Sequence, residues 1–171
     1  ISLDNYFIDR DKTPLDEFGH LDYESIRAID LKRFNKDLND LLEGKEVQLP
    51  RYNFITGKSE PGEILQIDEN QPIILEGIHG LNPMLTASIP DNEKFKIYLS
   101  ALTQLNLDDH NRIPTTDLRL IRRIVRDNQF RGHTAEMTIK GWPSVRRGEE
   151  KNIFPFQEDA DRIFNTSLIY E

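Results

Sequence analysis

The 171-residue chain has no cysteine, which excludes disulfide frameworks and thiolate metal sites. No apolar run approaches the roughly 20 residues of a membrane span, so a membrane partner is not expected. No basic start followed by an apolar stretch and a small-residue cleavage site is visible. Together with the missing cysteine, this makes a reducing cytoplasm the expected location. Basic residues are outnumbered, 22 Lys and Arg against 30 Asp and Glu, for a net charge of -8. That balance argues against a general nucleic-acid surface. His20, His79, His110 and His133 show no metal-ligand spacing, and no serine-histidine-aspartate arrangement is evident. What remains is ordinary for one globular domain: 37% hydrophobic and 30% charged residues, enough for a continuous core.

The charge is unevenly spread. Residues 112 to 151 hold ten Lys/Arg and five Asp/Glu, a local +5, which leaves -13 for the rest. A basic segment in an acidic protein suggests a site for a small anion, and phosphate is the common choice. The chain opens on Ile1-Ser2-Leu3, which reads as the end of a buried strand, as expected of a fragment. A helix is predicted from Asp30 as N-cap to Gly44 as stop, with Leu31, Phe34, Leu38, Leu41 and Leu42 at helical spacing. Short strands are predicted over 46–49, 51–55 and 63–67, with Thr56-Gly57-Lys58 as a hairpin turn. Ile73-Ile74-Leu75, ending at Glu76, reads as a buried parallel strand. Further strands are predicted over 95–99 and around Ser167 to Tyr170. Helices are predicted over 117–128 and from about Thr134, and Trp142 to Phe156 reads as irregular. Strands alternating with helices imply an α/β fold with a mainly parallel sheet, in which ligands bind beyond the carboxyl ends of the strands.

Arg119, Arg122, Arg123 and Arg126 fall at i, i+3, i+4 and i+7, one stripe of a helix. Like charges so placed repel, so a partner must offset them. Guanidinium groups match phosphate oxygens in a two-pronged geometry, which makes a polyphosphate one candidate. The other is a solvated face paired with Asp117, Asp127 and their neighbours. Asp4 follows the apolar start and is either a base for an attacking hydroxyl or a turn cap. Glu76 is either a carboxylate for Mg²⁺ or an ordinary strand end. Tyr52 and Phe54 could stack on a flat base or pack in the core, with the core favoured for Phe54. Trp142 reads as a packing anchor and His79 as a structural residue.

Several segments in order resemble the uridine kinase and phosphoribulokinase family of P-loop kinases. They are Ser2-Leu3-Asp4-Asn5-Tyr6-Phe7, Leu21-Asp22-Tyr23-Glu24, Leu42-Glu43-Gly44-Lys45 with Pro50-Arg51-Tyr52-Asn53-Phe54, Ile74-Leu75-Glu76-Gly77-Ile78, and Arg119 through Asp127 followed by Arg131-Gly132. The resemblance implies a P-loop NTPase-like α/β domain spanning residues 1–171. Residues 21–67 would form an acceptor-side helix and small β-hairpin, and residues 116–151 an arginine-rich helical lid. It implies ATP and Mg²⁺ as cofactors and a nucleoside or related sugar as acceptor, with a homo-oligomer compatible. Asp4 would be the catalytic base and Glu76 the magnesium carboxylate. Glu24 would hold ribose hydroxyls where the family has an aspartate. Phe7 and Tyr52 would lie beside the acceptor. Arg123, Arg126 and Arg131 would be lid arginines on ATP phosphates or acceptor, with Arg119 and Arg122 as further phosphate contacts.

Besides Glu24, the sequence departs from the family at four places. No Gly-x-x-x-x-Gly-Lys-[Ser/Thr] occurs, so the first strand and phosphate loop are expected upstream, and the chain alone is expected to be inactive. Gly57 stands where uridine kinases have a base-reading histidine, and His133 where they have another arginine. A stretch from Leu102 to Thr115, containing Asp108-Asp109-His110, has no counterpart and reads as a solvated loop. The leading expectation is ATP-dependent phosphoryl transfer to a hydroxyl of a uridine-like nucleoside or sugar. The alternative is a non-catalytic module that senses a nucleotide or phosphometabolite and regulates a partner.

Overall fold

A computed structural model describes residues 1–101, 108 and 114–167 of the chain. The first helix, α1 (Leu31–Leu42), forms where the sequence places Phe34, Leu38 and Leu41 on one face. Asp30 Oδ1 accepts the backbone N–H of Arg33 at 3.0 Å, closing one of the open donors at the helix start. Gly44 follows the last turn with φ +76°, a conformation that stops the helix cheaply only in glycine. The ring of Phe34 meets that of Tyr6 edge-on at 5.1 Å. These two, with Leu3, Ile29, Leu38 and Leu85, make the main core. A smaller cluster of Leu41, Val47 and Leu49 adjoins it, and Ile1 and Ile73 pack against both.

β1 (Val47–Asn53) and β2 (Lys58–Leu65) form an antiparallel hairpin, running from Val47 opposite Leu65 to Asn53 opposite Lys58. The expectation of two strands before the turn fails at Pro50. The ladder runs through Pro50, with its register shifted between Gln48 and Pro50, as a bulge allows.

The parallel strands expected at Leu3 and at Ile73–Leu75 shrink to one bridge between Ser2 and Glu76. Leu3 N donates to Glu76 O at 2.9 Å and Glu76 N to Ile1 O at 3.1 Å. Pairing goes no further because Leu3–Tyr6 coils into a 3-10 turn. Ile74, expected to be buried, is 77% exposed.

β3 (Ile97–Ser100) pairs in parallel with β4 (Arg162–Asn165). Between them in the chain come α2 (Thr115–Phe130) and α3 (Ala135–Asn152). The fold is therefore mixed α/β. Among the described residues its sheets are one hairpin and one parallel pair rather than a wide parallel sheet. The Trp142–Phe156 stretch, expected to be irregular, is helical as far as Asn152 despite Pro143 inside α3. Proline forfeits a helix hydrogen bond. The buried Thr138, Val145, Gly148 and Glu149 hold α3 in place regardless. The last strand falls at Arg162–Asn165, before its expected position, and residues 168–170 of that expectation lie outside the described residues, as does most of 102–115. Among the described residues, no helix is long and apolar enough to cross a membrane.

Candidate active site

Asp4 owes its position to its neighbours. In the turn Leu3–Tyr6, Leu3 and Tyr6 are both buried at 2% exposure, which turns Asp4 and Asn5 away from the core. Asn5 Oδ1 then accepts the backbone N–H of Tyr52 at 3.3 Å, tying this turn to the hairpin. Asp4 Oδ2 accepts from Arg131 Nη2 at 3.3 Å. Burial lifts the Asp4 carboxyl above the usual aspartate range, and Arg131 pulls it back. Glu76 pushes it up further, while Arg126 and Arg123 act downward. Asp4, Glu76 and three arginines of the basic segment thus share one electrostatic neighbourhood. The bridge to Ser2 fixes Glu76, whose side chain is exposed.

No group of three or more His, Asp or Glu among the described residues is set to hold a metal ion. A Mg²⁺ ion needs no such cage, because it keeps waters and takes phosphate oxygens beside one or two carboxylates. Glu76, with Asp4 near it, fits that kind of ion.

The arginine stripe divides. Arg119 leaves it to pair with Glu149 of α3, which also accepts from Arg146 at 2.5 Å. Arg123 and Arg126 turn to Asp127, which is only 2% exposed. Arg126 donates Nε and Nη2 to Asp127 Oδ1 at 3.2 and 3.1 Å. Arg123 Nε lies 3.4 Å from Asp127 Oδ2, and its Nη1 donates to Glu24 Oε1 at 3.3 Å. Arg131, at the end of α2, reaches Asp127 Oδ1 at 3.8 Å as well as Asp4. Arg122 is exposed on the same helix. Carboxylates thus neutralise the stripe, Glu149 for Arg119, Asp127 for Arg123 and Arg126, and Glu24 for Arg123, while Asp4 pairs with Arg131 beyond it.

Glu24 is 9% exposed. Asn152 Nδ2 donates to its backbone O at 2.8 Å. Gly148 of α3 lies so close that a Cβ there would collide with the Glu24 side chain, so only glycine lets α3 approach. Burial raises the Glu24 carboxyl, and Arg123 draws it back down.

Phe7, Tyr52 and Phe54 form an aromatic wall beside these charges. Ring centroids are 5.5 Å apart for Phe7 and Tyr52 and 5.1 Å for Tyr52 and Phe54. The Arg131 guanidinium stacks on Phe54 at 4.3 Å, a favourable cation–π geometry. Phe54, expected in the core, is therefore part of the site wall. Arg10 clamps the hairpin turn, donating from Nη2 to Phe54 O at 2.6 Å and from its backbone N to Gly57 O at 2.9 Å. His79 is buried and neutral, its ring pushed down to about 4 by burial.

Two residues outside the expected site set hold this arrangement together, Asp127 through the arginines and Arg10 through the hairpin turn. Asp127 was legible: Arg123, Asp127 and Arg131 fall at i, i+4 and i+8, one helix face. Arg10 was not, because its contacts lie across 44 and more residues of chain.

A model of the Phosphoribulokinase / Uridine kinase family matches residues 8–168. The chain is similar to the uridine kinase of Ligilactobacillus salivarius (strain UCC118), 30% identical over 161 residues that cover 94% of this chain and 68% of the relative. It is 32% identical over 167 residues to that of Borrelia turicatae (strain 91E135), with 95% and 71% covered. Staphylococcus epidermidis (strain RP62A among its designations) has a uridine kinase 29% identical over 164 residues, with 95% and 71% covered. Matches of this extent, on a chain whose arginine helix meets carboxylates from distant segments, mean that it belongs to the phosphoribulokinase and uridine kinase family of kinases.

Proposed function

We propose that the chain carries the acceptor side and lid of an enzyme transferring a phosphoryl group from ATP to a hydroxyl of a nucleoside, uridine-like, or of a related sugar. One observation supports this most: Asp4, a carboxylate raised above its ordinary range by burial, pairs with Arg131 at 3.3 Å and feels the positive charges of Arg126 and Arg123. Phosphoryl transfer needs both elements, a proton acceptor for the attacking hydroxyl and cations where charge spreads over the transferring group. Asp4 precedes the residues matched by the family model, so its role rests on its place in the site.

Asp4 takes the proton of the acceptor hydroxyl. Its raised pKa brings it nearer the working pH than an exposed aspartate, which favours a base that must also release the proton. Arg123, Arg126 and Arg131 stabilise the developing negative charge, with Arg119 and Arg122 further along the stripe as additional phosphate contacts. Glu24 holds hydroxyls of the sugar, while Phe7 and Tyr52 line the acceptor side. Glu76 would hold Mg²⁺, which neutralises charge on the phosphates when bound. Residues 116–151 act as the lid, excluding water as they close. The enzyme works in the cytoplasm, where ATP and nucleosides meet.

The test is Asp4→Asn in the full-length protein. Turnover is expected to fall about 10³-fold with ATP affinity little changed, since the amide cannot accept the proton. Near-normal turnover would reject Asp4 as the base. Wild-type protein that binds ATP but phosphorylates no nucleoside or sugar would instead favour a sensing module.

A further inference from the structure

We propose that Asp127 is the positioning residue of this site, a buried carboxylate that aims the lid arginines at Asp4 and Glu24. The inference rests on the kinase reading above. Its basis is a continuous chain of ion pairs across the molecule: Asp4, Arg131, Asp127, Arg123 and Glu24, with Arg126 attached to Asp127. Of the three carboxylates in this chain, Asp127 is the one on the lid helix and the one that touches all three arginines. Each of the two bridging guanidiniums presents one edge to Asp127 and another to the acceptor side. Arg123 uses Nε inward at 3.4 Å and Nη1 outward at 3.3 Å. Arg131 uses Nη1 inward at 3.8 Å and Nη2 outward at 3.3 Å.

This arrangement follows from charge and geometry. Three guanidiniums on one helix end repel each other. A side-chain carboxylate that is 3% exposed is costly unless charges and hydrogen bonds surround it. Each need meets the other. The planar fork of arginine lets one group bind inward and outward at once, which lysine cannot do. Asp127 also anchors the helix end, because its backbone O accepts from Arg131 N and His133 N, both at 3.1 Å. Its carboxylate makes no contact with Asp4 or Glu24 among the bonds and pairs just described. It acts on the site through the arginines.

A purely electrostatic role and a positioning role predict opposite signs. Asp127→Asn keeps the shape and removes one negative charge from among the arginines. If only net charge mattered, the variant would bind anions more tightly. If Asp127 aims the arginines, their guanidiniums splay and anion affinity falls. The probe is inorganic triphosphate, titrated calorimetrically into the full-length protein. Affinity is expected to drop about tenfold in Asp127→Asn despite the added positive charge. Unchanged or tighter binding overturns the inference.

A second readout is the pH profile of kcat/KM. Groups facing Asp4 are Arg131, Glu76, Arg126 and Arg123. Without the Asp127 carboxylate, Arg131 is no longer aimed at Asp4 and its downward pull on that carboxyl weakens, so the acid limb moves to higher pH. An unmoved limb, or one shifted to lower pH, counts against the inference. Should Asp127→Asn fail to fold, Arg123→Lys carries the same test. It keeps the charge but cannot bridge Asp127 and Glu24, and triphosphate affinity should again fall about tenfold. Full affinity in that variant overturns the proposal. Wild-type protein that binds no triphosphate refutes the kinase reading and this inference with it. Wild-type binding with both variants unaffected refutes this inference alone.

Discussion

Helices α1 and α2 carry similar apolar spacing and are held in place by different forces. On α1, Phe34, Leu38 and Leu41 go into the core, and the helix is fixed by apolar burial. On α2, Ile121 and Val125 stay 58% and 51% exposed, and the one buried residue is the carboxylate Asp127. The segment around α1 is thus built on packing and α2 on ion pairs. Apolar contacts are non-directional and hard to undo without unfolding, whereas charge pairs can be exchanged for a ligand's charges. In the proposed function, α1 would belong to a rigid acceptor side and α2 to a lid whose cations are held by replaceable carboxylates, which suits a site that must admit and then enclose a phosphate.

The largest test of this contrast is Phe34→Ala. It should cost about 3–5 kcal/mol in denaturant unfolding, because the cavity opens in the middle of the core. A loss under about 1 kcal/mol would mean that α1 is not anchored by packing.

A second test concerns pH. The unfolded chain protonates His79 near its ordinary 6.5, whereas the folded chain resists until about 4. Stability conferred by the neutral ring is therefore present above 6.5 and lost as pH falls through that window, with about 2 kcal/mol gone between pH 7 and 5. The raised carboxyls of Asp4 and Glu24 act the other way, favouring the native state as pH falls. The difference between wild type and His79→Gln isolates the ring. Equal pH dependence in the two proteins would mean that the folded protein lets His79 charge freely.

The smallest effect sharpens the comparison most. Asp30 caps α1 and Thr134 caps α3, the latter through Oγ1 accepting from Met137 N at 3.2 Å. Each cap is worth about 1 kcal/mol. Asp30→Ala should lower global stability by about that much. Thr134→Ala should leave the global transition in place and speed hydrogen exchange of α3 amides about fivefold, as for a segment that opens on its own. Equal losses in the global transition would show that α1 and α3 unfold together.

Much of the fold was legible because local signals agreed. The Asp30 cap, the Phe34–Leu38–Leu41 stripe and Gly44 all named the same helix. The hairpin turn and the start of α3 at Thr134 were likewise found where their residues marked them. The failures had specific causes. Pro143 and basic residues argued against helix over 142–152, yet burial of Val145, Gly148 and Glu149 outweighed one missing hydrogen bond. Ile73-Ile74-Leu75 had the composition of an inner strand, and composition does not reveal whether a neighbour is present to cover Ile74. The site's charged residues were legible as types at spacings. Arg119 turning to Glu149, and Phe54 lying beneath Arg131, were not.

The sequence by itself determined α1, α2, the start of α3, the hairpin and the arginine stripe, because caps, turn residues and periodicity act over a few residues of chain. Only the tertiary structure decided which carboxylate meets which arginine. Asp4 and Arg131 are 127 residues apart, Glu24 and Arg123 are 99 apart, and Coulomb attraction depends on distance in space rather than along the chain.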